Sequence, residues 1–101
     1  MEFISLTYVT QKEGEYYVSE CRELGTSSFG ISENEALDAL NDATFLYLNT
    51  LEELGEAHQV LDEKGVKVYN YEPADLEIRR EKFPVGSMVR PTVLSLEHSH
   101  A

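Results

Sequence analysis

The chain has 101 residues, 42% of them hydrophobic, and a single cysteine, Cys21; this predicts one small domain with a modest core, no intrachain disulfide and a reducing, cytoplasmic setting. The net charge is −11 and unevenly spread: residues 1–63 hold 14 acids and two bases (Lys12, Arg22), net −12, whereas residues 64–101 hold five acids and six bases, net +1. Such a chain should repel nucleic acid and anionic membranes and attract basic proteins, with plain solubility as the competing explanation; its start, Met1 to Ser5, lacks the pattern of a signal peptide, and no apolar run approaches the roughly 18 residues of a membrane span.

Residues 3–10, Phe-Ile-Ser-Leu-Thr-Tyr-Val-Thr, are β-branched and aromatic, with Ile4, Leu6 and Tyr8 on one face of a strand. Gln11 to Glu15 reads as a polar turn around Gly14, Tyr16 to Cys21 as a second strand, Arg22 to Gly25 as a connection, and Thr26 to Phe29 as a third strand stopping at Gly30. Together they make an antiparallel meander. Ser32-Glu33-Asn34-Glu35 is a capping box, in which Ser32 accepts from a free helical N–H and Glu35 reaches back to the Ser32 N–H. Ala36, Leu37, Leu40, Ala43, Thr44, Tyr47, Leu48 and Leu51 then form one stripe of a helix running to about Leu54, ended by Gly55. Glu56 to Lys64 predicts a short second helix with Val60 and Leu61 inward and Gly65 as its stop, and Val66 to Tyr71 a strand. Residues 72–82 read as a turn of helix, and Met88 to Leu96 as a last strand or an extended arm, with Pro91 favouring a sheet edge. The fold class is therefore α+β: a three-stranded meander, a helix on one sheet face and a further strand, with residues 1–71 as the domain and 72–101 as a C-terminal tail.

The stretch from Tyr16-Tyr17-Val18-Ser19-Glu20-Cys21-Arg22-Glu23-Leu24-Gly25 to Ser32-Glu33-Asn34-Glu35-Ala36-Leu37, continued by Asn41-Asp42-Ala43-Thr44-Phe45-Leu46-Tyr47-Leu48, resembles the signature of the HicB antitoxin family. The resemblance covers roughly residues 3–71. Arg22 stands where that family usually has proline, and Ile31 where it usually has aspartate; a hydrophobic staple against the first helical turn would account for Ile31. The resemblance implies a partial RNase H-like fold without nuclease activity and an antitoxin role, in which the protein binds a small basic RNA-cleaving toxin of the HicA type. Many relatives add a C-terminal DNA-binding motif. Here Arg79, Arg80, Lys82 and Arg90 come without two consecutive helices of the needed length, so direct nucleic-acid binding is not expected.

No cofactor, metal site or catalytic centre is expected. Metal-dependent nuclease chemistry needs carboxylates converging from strand and helix ends, and neither residues 3–10 nor 66–71 contain one. Cys21 ends a strand, His58 lies far along the chain and no third group is evident, so Cys21 reads as a structural cysteine and not a nucleophile. His98 and His100 fit a disordered end or the remnant of an expression tag better than a metal site. The expected function is recognition by Glu20, Glu23 and Leu24 at the strand end and by Asp38, Asp42 and Phe45 on the outer helix face, where Phe45 is the apolar anchor. Self-association into a homodimer or higher closed oligomer is expected as well. The rival readings are an orphan HicB-like oligomerisation or regulatory module with no toxin, and an active RNase H-like nuclease.

Overall fold

The computed structural model describes residues 1–73 and 81–96. Most of the expected turn at 72–82, with Arg79 and Arg80, lies outside the described residues, as do His98 and His100. The fold is α+β, with strands β1 (Glu2–Glu13), β2 (Tyr16–Cys21), β3 (Ser27–Gly30), β4 (Val68–Tyr69) and β5 (Met88–Leu96), and helices α1 (Glu33–Glu53) and α2 (Ala57–Glu63).

β1 is the centre of the sheet. On one edge it pairs antiparallel with β2 from Tyr8↔Cys21 to Glu13↔Tyr16, and further along the same edge with β4 at Phe3↔Tyr69 and Ile4↔Val68. On its other edge it pairs with β5 from Glu2↔Leu96 to Thr10↔Met88. β3 closes the far side of β2.

β1 is longer than the sequence reading by four polar residues: Glu2, opposite Leu96 of β5, and Gln11, Lys12 and Glu13, which continue the ladder opposite β2. The turn shrinks to Gly14 and Glu15, with Gly14 at φ +62°, the glycine-first arrangement of a tight two-residue hairpin. β4 is shorter than expected: only Val68 and Tyr69 pair with β1, and the Val66 N–H is taken by the Leu61 carbonyl at the end of α2. β5 is the strand alternative for residues 88–96. It lies fully within the sheet, and Leu96 is part of the core, so these residues belong to the same folded unit as residues 1–71.

The alternation of β1 sends Ile4, Leu6 and Tyr8 to the helical side. There they meet Leu40 and Leu48 of α1, Leu61 of α2, and Cys21, Leu24, Val66 and Leu96. The expected stripe of α1 is the buried one, with Ala36, Leu40, Thr44, Leu48 and Leu51 inward. Ser32 caps α1 by accepting from the Glu35 N–H at 3.1 Å. The Glu35 side chain does not return the bond but lies against Gly30, where any Cβ would stand 2.7 Å from the Ala36 nitrogen. Ile31 is 70% exposed, so it is not the staple the sequence suggested. A hydrogen bond of 2.8 Å between the Thr26 and Thr44 hydroxyls ties α1 to the β2–β3 connection.

Thr7 and Val9, on the opposite sheet face, are also buried. Arg22 ties this part of the fold to residues 81–83. The Arg22 guanidinium lies 3.3 Å from the Glu81 carboxylate, 3.1 Å from that of Glu20, and 5.3 Å from the Phe83 ring centre. Arg22 thus has a structural partner in each direction.

Candidate partner-binding surface

The six expected contact residues divide into two groups. At the strand end, Leu24 is only 5% exposed and packs in the main core. It is a core residue and not a partner anchor. The turn that carries it is closed by Gly25 N–H to the Cys21 carbonyl (2.9 Å) and Cys21 N–H to the Thr26 carbonyl (2.8 Å), which drives the Leu24 side chain inward. Glu23 is turned inward too: its carboxylate accepts from the Thr7 N–H at 2.8 Å and from the Thr7 hydroxyl at 2.9 Å. Glu20 is engaged by Arg22. The expected strand-end patch is therefore largely committed to the fold.

The helix group is where the spacing placed it. Asp38, Asp42 and Phe45 recur at four and three residues along the outer side of α1, and all three are exposed, Phe45 at 38%. Leu46 on the same helix and Leu54 at its C-cap add apolar surface. Asn41, between the two aspartates, accepts a hydrogen bond of 3.3 Å from the Tyr8 hydroxyl, fixing this side of the helix to the sheet.

A second exposed group went unnoticed in the sequence. On the sheet face away from the helices, Tyr16, Val18 and Phe29 line an open groove of about 520 Å³ with Glu13, Ser27 and Ser28. The Tyr16 and Phe29 rings meet edge to face, 6.1 Å apart at 88°, and are 51% and 66% exposed. The signal was the period of two: Tyr16 and Val18 must share a face of β2, and Phe29 pairs with Val18.

The chemistry available is limited. Burial pushes the Cys21 thiol up to about 11, against an opposing backbone hydrogen bond at Leu24, so at neutral pH it is a protonated, inaccessible group. His58 Nε2 meets the Glu2 carboxylate at 2.9 Å. The extended β1 does carry carboxylates, Glu2 and Glu13, but eleven residues of strand hold them about 36 Å apart. Among the described residues no group of three or more His, Cys, Asp or Glu side chains is placed to hold a metal ion, and no helix is long and apolar enough to cross a membrane. Scans against protein-family models, curated proteins and solved structures return no match for this chain.

Proposed function

We propose that this chain is a non-catalytic, cytoplasmic, HicB-like antitoxin that neutralises a small basic RNA-cleaving toxin of the HicA type by occupying the toxin's basic surface. The observation that carries the reading is the surface of α1, where Asp38, Asp42 and Phe45 stand exposed together on the part of the chain that holds a net charge of −12. Acids steer a basic partner and accelerate encounter, with a reach set by a Debye length of about 8 Å at physiological salt. An aromatic among them supplies the desolvated contact that charge alone does not. A partial RNase H-like fold and a homodimer or higher closed oligomer belong to the same proposal, with Leu46 and Leu54 as apolar groups a second copy would cover.

The test is growth rescue. The small basic protein encoded beside this chain is expressed until growth stops, and this chain is then co-expressed. Rescue and co-purification are expected, both weakened by Asp38→Lys with Phe45→Ala. A neighbour that is not toxic, or rescue that the double variant leaves intact, overturns the reading. In the first case the exposed Leu46 and Leu54 favour the orphan oligomerisation module.

A further inference from the structure

Three strands carry an outer edge among the described residues, β3, β4 and β5; β4 is only two residues long, and the edges of β5 and β3 differ. The registers run without a bulge, so the hydrogen-bonding direction of each residue follows from two fixed points. The Thr7 carbonyl accepts from the Arg22 N–H, and the Cys21 N–H donates to Thr26. Thr7 therefore points its main chain toward β2, and its β5 partner Pro91 points away from β1. Pro91 thus sits on the outer edge of β5, amid the outward positions 89, 93 and 95, and removes a donor there. This is a usual way of blocking strand addition. On β3 the same alternation turns Ser28 and Gly30 toward β2 and leaves the main-chain N–H and C=O of Ser27 and Phe29 facing outward. No proline guards that edge, and it carries the exposed Phe29–Tyr16 pair and its groove.

We propose that the β3 edge is a strand-addition site for an extended segment of a partner protein, in which basic side chains alternate with apolar ones. Ser27 and Phe29 would supply the main-chain bonds. Alternate apolar side chains of the incoming strand would enter the groove at Tyr16, Val18 and Phe29. The charge around the edge selects the occupant. Glu13 lines the groove, Glu15 is at the hairpin turn, and Glu33 and Glu35 open α1 directly after β3; of the two bases in this stretch of sequence, Lys12 and Arg22, Arg22 is engaged by Glu20 and Glu81. A second copy of this chain would bring the same acids against them, whereas a basic strand neutralises them. The inference rests on the basic-partner reading above and adds a second contact, at β3, to the one on α1.

The experiment uses the full chain and two labelled eight-residue peptides, one alternating Lys and Val, the other Glu and Val. Binding is followed by fluorescence anisotropy and by amide shifts. The Lys–Val peptide should bind, weaken as salt rises, and shift the Ser27 and Phe29 amides. Phe29→Ala and Ser27→Pro should each weaken it at least tenfold, and Val85→Ala, at an exposed position outside both surfaces, should leave it unchanged; circular dichroism of each variant confirms folding. Shifts confined to α1 and lost with Phe45→Ala would overturn the β3 site while leaving the basic-partner reading intact. Equal binding of the Glu–Val peptide, or none of either, would overturn the charge argument. Concentration-dependent protection of the Phe29 amide in the chain alone would assign the edge to a second copy instead. Failure of toxin rescue with the β3 shifts intact would remove the antitoxin reading and not the site.

Discussion

The Glu23 carboxylate grips Thr7 at both its N–H and its hydroxyl, on a stretch of β1 edge that β2 has left and β4 has not yet reached. A side chain here does the work of a strand, because a buried backbone N–H without a partner costs about 1–3 kcal/mol. Glu23→Ala is expected to lower stability by that amount, read as a shift in the urea midpoint at constant slope. Glu23→Gln should cost less, since its amide oxygen still accepts one of the two bonds. Equal losses for the two variants would mean that the side chain only fills space.

Gly30 is required for its lack of a side chain at the point where β3 passes the first turn of α1. An added Cβ meets the Ala36 nitrogen at 2.7 Å and the Glu35 Cβ at 2.8 Å, and the backbone nitrogen cannot swing aside. Gly30→Ala should destabilise by about 1–3 kcal/mol through overpacking. A thermal midpoint equal to the parent's would show that β3 and α1 can separate freely.

Cys21 and Tyr8 share an alkaline signature. Burial raises the thiol from 9.0 to about 11 and the phenol from 10.0 to about 12. Both groups are neutral when protonated, so the unfolded chain ionises first. Their contribution is complete below pH 9 and falls as pH rises through 11 and 12. The thiol alone accounts for about 2–3 kcal/mol of that loss. Denaturant titrations at pH 8 and pH 11 measure it, and Cys21→Ala should remove the thiol's share. At pH 8 a thiol reagent should label Cys21 only in denaturant.

Arg22 links the turn after β2 to residues 81–83. Arg22→Ala should cost about 1 kcal/mol, from one stacked and two partly exposed ionic contacts. It should also make the bond after Lys82 an early site of tryptic cleavage. An unchanged cleavage rate would mean that Phe83 is held by other contacts.

Local signals carried most of this fold. The α1 stripe and its Ser32 cap are consequences of spacing alone, and so is the exposure of Phe45. Pro91 announced an edge, and β5 lies at one. The misread features depend on partners far away in sequence. Glu23 looks like any solvated strand-end acid until Thr7, sixteen residues earlier, is brought beside it. Leu24, an apolar residue within an acidic turn, was the one available warning that this turn faces inward.

The β1–β5 ladder joins Glu2 to Leu96, almost the whole chain apart. Contacts of such separation close slowly, because the intervening loop must be ordered first. During synthesis, at about 5–20 residues per second, β1 waits on the order of ten seconds for the strand that covers its second edge. Over that interval its backbone groups at Ile4, Leu6 and Tyr8 are open to any neighbouring nascent chain. The most central strand of the sheet is thus the last to be enclosed, and the newborn chain is at its most aggregation-prone before residue 88 emerges.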